Sequence, residues 1–422
     1  MSTRAERFAW CLYDFANSSF PTVIVTVVYV IYFKNVVVGE GHVGLSDRLW
    51  GMANSLAAAV VFLTAPFLGA VADAAGRKRA FLAVYAFACV VATALLALTG
   101  PGTVALAVTL FTIASIGFEG SVVFYNAFLP ELVPADRMER LSGAGWALGY
   151  VGGLACLLVV LPFAKSHTSL VPLAVAGWYL VFSLPSLALL RDRARPSPGS
   201  LAPSVVAEGG RRFLSTLRGI GEHRSLSRFL TAYFFFENAI VTVIVFTVAF
   251  TKDTLGFTIT ENIILVVVMN AIAAPGAYAF GRVAERIGCK RTLVVTVCMW
   301  LAVVAGAEVS AWPGLFTAPG AKSVFWGVAT LASLCIGASQ ATARTFVAQL
   351  APEGRSGEFF GFMAFAGKGS AILGPIVFGL ASDISGSQRV AVATIGAFFL
   401  AGLVLLLRVP APSCSSADCS PQ

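Results

Sequence analysis

Residues 69–79 read GAVADAAGRKR, a short charged stretch set between two apolar runs, 49–72 and 80–99. An α-helix needs about 20 apolar residues to cross a hydrocarbon core roughly 30 Å thick. The stretch is therefore read as the tight turn between two membrane helices. The chain writes it twice: residues 281–291 read GRVAERIGCKR. Gly69/Gly281, Val71/Val283, Ala72/Ala284, Asp73/Glu285, Gly76/Gly288, Lys78/Lys290 and Arg79/Arg291 match or stay in class. The second copy lies 212 residues after the first, half of the 422 in the chain. A further echo pairs LVPADR at 132–137 with LAPEGR at 350–355, 218 residues apart. Such repeats imply two parallel halves around a central cavity.

Composition agrees with a membrane setting. Hydrophobic residues make up 58% and charged residues 12%, against roughly 45–50% and 25% in soluble domains. The net charge of +8 does not mark a nucleic-acid partner, because the basic residues sit in short loops beside apolar runs. Twelve spans are expected, near 8–33, 49–72, 80–99, 103–128, 140–163 and 169–190, then 226–251, 259–282, 292–310, 323–347, 357–381 and 389–407. The fold class is all-α and polytopic, with two pseudo-symmetric six-helix bundles over 1–190 and 226–408. A linker loop over 191–225 joins them, and a tail occupies 409–422. Of 29 lysines and arginines, 21 fall on the side of the termini and six on the other, with Arg344 and Lys368 inside spans. By the positive-inside rule both termini are expected in the cytoplasm, in a multi-pass protein of the inner membrane.

The linker opens on a Pro/Ser-rich basic segment. It continues through Arg211, Arg212, Phe213, Leu214 and Arg218 as a candidate amphipathic helix on the lipid surface, or else as a disordered basic linker. The eight cysteines show no metal spacing. Cys11, Cys89, Cys156, Cys298 and Cys335 read as small hydrophobes in apolar runs. Cys414 and Cys419 lie in a Ser-rich tail where no disulfide is expected. No metal and no cofactor is expected.

The hairpin pattern, a glycine, an acid four residues on, then glycine and basic residues, resembles the signature of the major facilitator superfamily between spans 2 and 3, here in both halves. A narrower resemblance rests on YDFANSSF (13–20), YNAFLPEL (125–132), SGAGWALGYVGG (142–153) and FFGFMAFAGKGSAILGP (359–375). These are similar to the vacuole effluxer family, which contains fungal autophagy-related amino-acid effluxers and bacterial relatives. The likeness skips the central loop and tail. In span 7 it departs from an Asn-Asp-Gly-like turn, where this chain has Glu237, Asn238 and Ala239. The resemblance implies the major facilitator fold and transport, with amino acids as substrate class. It also implies that spans 1, 4, 7 and 10 line the cavity, so that Asp14, Glu119, Glu237 and Gln340 face it.

Ionisable groups are expensive in a bilayer and need a partner or a wet cavity. Asp14, Glu119, Glu237, Arg344 and Lys368 are the five placed within spans, away from the span ends. Asp14 and Asn17 share a helix face, flanked by Tyr13. A carboxyl in an apolar cavity suits proton uptake and release near neutral pH, so Asp14 is the candidate for proton coupling, with interhelical packing as the rival role. Glu119 and Asn126, seven apart, also share a face. Glu119 is a substrate or proton site, or the partner of Arg344 in an inner gate. Glu237 and Lys368 bind the amine and carboxylate of a zwitterion, or neutralise each other. Asn238 and Gln340 complete the candidate site.

The hairpins are read as latches at the cytoplasmic face. Asp73 is expected against the positive N-terminus of span 11 near Gly357, Gly76 to form the turn, and Arg77 to reach Glu131 or Glu358. Glu285 and Arg286 are expected to meet span 5 and Arg137 in the mirrored place, with Arg344 and Arg355 as further gate residues. Gly143, Gly145, Gly149, Gly152 and Gly153 on span 5, and Gly361, Gly367, Gly369, Gly374 and Gly379 on span 11, are expected to form the faces that rock against the opposite half.

The function expected is secondary transport of a small polar metabolite, an amino acid first, by alternating access, with the proton as candidate coupling ion and a monomer in the bilayer as the working unit. Drug or siderophore export and a non-transporting scaffold or receptor are the alternatives. No P-loop pattern and no nucleophile–base pair point to ATP-driven transport or an enzyme.

Overall fold

The computed structural model describes residues 2–39, 41–164, 167–193, 203–218 and 224–410. The tail cysteines Cys414 and Cys419 lie outside them. Among the described residues, twelve helices are long and apolar enough to cross a membrane. The first six are Arg4–Gly39, Gly44–Ala75, Lys78–Leu98, Val104–Leu132, Ala135–Ala164 and Thr168–Leu189. The second six are Arg224–Asp253, Ile259–Ile287, Cys289–Ser310, Ala318–Leu350, Ser356–Ser385 and Gln388–Leu407. Most are longer than expected because helix continues past the apolar run into capped, polar ends. Span 1 begins with Thr3 and Glu6 in a reciprocal cap, each side chain accepting from the other's backbone N–H. Span 2 stops at Gly76, whose φ of 61° is left-handed and favours a residue without Cβ.

The two halves repeat one packing plan. Span 1 packs on 5 and 6, span 2 on 4, and span 3 on 4 and 6. Span 7 packs on 11 and 12, span 8 on 10, and span 9 on 10 and 12. Between the halves, spans 2 and 11 form one seam, and span 5 against spans 8 and 10 forms the other. Span 1 is α-helical over Arg4–Asn17, then winds as π-helix over Phe20–Val27 and Phe33–Gly39, with Pro21 at the first break.

Glycines decide how closely the seams approach. A Cβ on Gly361 would come 2.5 Å from the Ala65 carbonyl, and one on Gly143 2.6 Å from the Ala277 carbonyl. Gly369 also faces span 2. The other span 5 glycines correct the expectation. Gly145, Gly149, Gly152 and Gly153 receive span 1 of their own half, and Gly367 and Gly374 receive span 7. Gly379 has nothing within 4 Å. One small-residue face per helix thus serves the bundle and only part of it serves the seam.

The linker forms a helix, Pro203–Arg218, with its apolar side on protein rather than on lipid alone. Gly209 lies on Val71, Val205 joins Ala74 and Ala75, and the Phe213 ring stands 6.2 Å from Phe67 and 6.1 Å from Phe362. It therefore crosses the seam between spans 2 and 11. Of the five cysteines read as small hydrophobes, Cys298 is exposed and the other four are buried.

Candidate functional site

The end of the molecule that carries the two hairpins is here called the hairpin end. Moving inward from it, charged side chains fall in three layers. The middle layer is built on Arg344 of span 10, 2% exposed. Its Nη1 donates to Asp14 Oδ2 at 3.1 Å and to Asn126 Oδ1 at 3.3 Å. Nε donates to the Ser142 hydroxyl at 2.9 Å and Nη2 to the Ser142 carbonyl at 2.7 Å. Trp10 lies 4.7 Å and Tyr125 and Trp146 5.7 Å from the guanidinium carbon. Every one of these groups belongs to spans 1, 4 and 5, so a cation of the second half is held by the first. This corrects the pairing of Arg344 with Glu119. Asp14, one helical turn beyond Trp10, reaches the guanidinium first, while Glu119 lies seven residues before Asn126 on span 4, about 10 Å farther from the hairpin end at 1.5 Å per residue.

The deepest layer sits between the halves. Lys368 of span 11 donates to Glu119 of span 4, both about a quarter exposed. Gln340 of span 10 donates from Nε2 to both oxygens of Glu237 on span 7, at 2.8 and 3.0 Å. The mutual pair of Glu237 and Lys368 is not formed: the ammonium goes across the seam to Glu119 and the carboxyl takes a neutral amide. Asn238 turns away from this layer. It is wholly buried beside Gly374 and Thr242, and neither of its amide atoms has a partner among the described residues. Consecutive helix residues point about 100° apart, so while Glu237 meets Gln340 on span 10, Asn238 is turned to Gly374 on span 11. Tyr13 likewise faces the interior of the first half, its hydroxyl 3.0 Å from that of Tyr179. Asn17 is buried next to Ser18.

The outermost layer closes the hairpin end. Asp73 accepts from the backbone N–H groups of Gly357 and Glu358, at 3.1 and 2.8 Å. These are orphan donors at the start of span 11, where helix dipole and free N–H groups favour an anion. Arg77 is exposed and does not take the expected acid. Lys78, 1% exposed, does so: it pairs with Glu131 and donates to Ser356 Oγ at 2.9 Å. The reason is the turn. Gly76 ends span 2, and span 3 restarts at Lys78 with that side chain aimed back into the seam. Arg355 holds Glu358 at 2.8 Å and also donates to Thr216 of the linker helix. Beside this cluster Asp192 accepts from the Arg79 N–H at 3.1 Å, and burial pushes its carboxyl above the usual range.

The mirrored latch is not built. Glu285 and Arg286 are exposed, and Arg137 is exposed beside Asp136. Cys289 instead donates to Glu139, which is 4% exposed. The repeat explains the asymmetry. At an offset of 218 the counterpart of Gly357 is Glu139, a carboxylate that repels Glu285, and the counterpart of Glu131 is Gln349, which gives Lys290 no acid.

Lys78, Ser142, Ser356, Trp10, Glu139 and Thr216 are the residues that sequence reasoning missed. Trp10 was findable as the aromatic at i−4 from Asp14, and Lys78 as the start of a helix. Ser142 and Ser356 carry no signal beyond being common small polar residues.

A sequence profile of the family described as Vacuole effluxer Atg22 like matches residues 50–139 and 134–416. The chain is 29% identical over 417 residues to "Uncharacterized MFS-type transporter YxiO" of Bacillus subtilis (strain 168), covering 95% of this chain and 94% of that one. It is 25% identical over 415 residues to "Autophagy-related protein 22" of Coccidioides immitis (strain RS), covering 80% of this chain and 67% of the relative. Among solved structures it resembles the human organic anion transporter MFSD10 (TETRAN) with a TM-score of 0.76 at 16% identity, over 96% of this chain and 99% of the other. A bacterial homologue of the iron transporter ferroportin follows at 0.71 and 13%, over 96% and 99%. At such identities the likeness is one of fold, the twelve-span major facilitator arrangement.

Proposed function

The chain belongs to the vacuole effluxer Atg22-like family, and from that premise we propose that it moves a small polar metabolite, an amino acid, by alternating access across the inner membrane. The observation that carries the reading is the deepest layer. It offers an ammonium, Lys368, and a carboxyl without a cation, Glu237, on facing helices of the second half, with Glu119 across the seam. A zwitterion satisfies both ends of that arrangement: its carboxylate competes with Glu119 for Lys368, and its ammonium meets Glu237 and Gln340. A wholly apolar substrate would offer Glu237 no counter-charge and Lys368 no second acid.

The bias of basic residues toward the hairpin end supports a cytoplasmic position for it. The latch at Asp73 and Lys78 and the Arg344 layer then hold the cytoplasmic side shut, and the substrate layer lies beyond them toward the other side. The test is ligand stabilisation of the purified full chain, followed by counterflow in liposomes. A ligand raises the melting temperature of the state it binds. One or more amino acids should raise it and exchange across the bilayer without ATP, and Lys368→Ala should abolish both effects. A panel in which only sugars, or only apolar cations, stabilise the protein would overturn the proposal.

A further inference from the structure

We propose that Glu237 is the one carboxyl in the transport path that exchanges its proton, and that the proton and the cationic group of the substrate occupy it by turns. This rests on the transport reading above and deepens it.

The argument is one of charge balance. Away from the span ends, the sequence places three acids and two bases at mid-membrane depth: Asp14, Glu119 and Glu237 against Arg344 and Lys368. Glu308, nearer an end, is paired with Arg389, and Glu139 lies in the hairpin-end layer. The structure assigns both bases. Arg344 is taken by Asp14, and its remaining donors go to Ser142 and Asn126. Lys368 is taken by Glu119. Glu237, 8% exposed, is the acid left over. Its hydrogen-bond partner is the neutral amide of Gln340, and among the described residues no cation forms an ion pair with it.

The groups that face it from neighbouring helices do not change this count. Lys368 on span 11 is close enough to be felt but is committed to Glu119. Tyr233, one turn earlier on span 7, and Tyr150, from span 5 across the seam, are phenols that feel the carboxylate without neutralising it. Gln340 serves either form, because an amide N–H can donate to a carboxylate or to the carbonyl oxygen of a protonated carboxyl.

An ionised carboxylate buried without a counter-charge is disfavoured. Glu237 therefore has two stable occupants, a proton or an external cation. There is one site, and each excludes the other. When the ammonium group of a substrate arrives, the proton leaves to water on the open side; when the substrate leaves, a proton returns. Substrate and proton then move in opposite directions. Asp14, the coupling candidate from sequence, lacks this freedom because its carboxylate completes the shell of Arg344.

The experiment uses the full chain in lipid nanodiscs, in weakly buffered solution with a pH-sensitive dye. Two probes are added separately: a mixture of the twenty standard amino acids, and methylammonium. The native protein should release about one proton per molecule, and apparent affinity should weaken about tenfold per pH unit below the midpoint of the release. Glu237→Gln should release none while eluting and melting as a folded protein. Glu237→Asp should restore release with a displaced midpoint, which also decides the matter should the Gln variant fail to fold. Undiminished release from Glu237→Gln, or an unmoved midpoint in Glu237→Asp, overturns the proposal, as does silence of both probes in native protein that still transports. Release by methylammonium but not by the amino acids supports Glu237 as the exchange site and defeats the amino-acid reading instead.

Discussion

At the scale of single residues, Arg344 shows how a buried charge can be satisfied without water. Four hydrogen bonds and three aromatic faces receive it. Removing one partner of such a pair strands the other, at about 3–5 kcal/mol. Asp14→Asn should therefore lower stability by roughly that much, and thermal or denaturant unfolding of purified protein would read it. Native stability in Asp14→Asn, with loss confined to gradient-driven flux, would return Asp14 to the coupling role. Arg344→Lys should fail to restore the native melt, because an ammonium lacks the planar fork that reaches Ser142 and Asp14 together. The five ionisable residues were legible in sequence because each stands out against an apolar run. Their pairing was not. Lys368 can be drawn to Glu119 or to Glu237 by depth alone, and helix rotation decides between them. Lys78 and Arg77 are adjacent basic residues, and only the geometry of the Gly76 turn says which one enters the seam.

At the scale of helices, the seams are set by glycine. Gly361→Val and Gly143→Val should each hold the halves apart at the hairpin end, since the added carbons collide with backbone carbonyls that cannot move aside. A cysteine placed at Gln340 should then react with a membrane-impermeant reagent from the hairpin side as well as from the other. Gly177→Ala, with open space around it, should leave labelling unchanged. If the seam variants label like the native chain, the glycines do not govern closure. The small residues were visible from sequence, but which neighbour each one meets was not, since a helix carries several faces and the sequence does not say which turns inward. The linker helix illustrates the same limit. Its amphipathic pattern predicts an apolar surface to cover it, and spans 2 and 11 meet that need as well as lipid would.

At the scale of the whole molecule, the hairpin end is closed by charge on one seam and by backbone contact on the other. Asp73→Ala removes an anion from the start of span 11, an effect of about 1–2 kcal/mol in a partly buried setting, or roughly a five- to thirtyfold shift between two states. Labelling of the same Gln340→Cys reporter from the hairpin side should rise by that factor, and Asp73→Ala with Gln340 intact should keep its ligand stabilisation. An unchanged ratio would leave the latch without energetic weight. The twelve spans, the two-fold repeat and the site of Asp73 against Gly357 were all legible in the sequence, because each follows from length, spacing or helix polarity. The unequal latches follow only when the repeats are laid over one another at Glu139 and Gln349.

The substitution of Glu139 for the glycine that receives Asp73 also bears on ancestry. Two copies of the first half, assembled as the duplication implies for a single-bundle forebear, would set Asp73 of each against Glu139 of the other, carboxylate to carboxylate. That homodimer could not shut its hairpin end. Two copies of the second half would offer Glu285 a glycine but leave Lys290 facing glutamine. Neither half presents the whole gate to a copy of itself: the halves have diverged into lock and key.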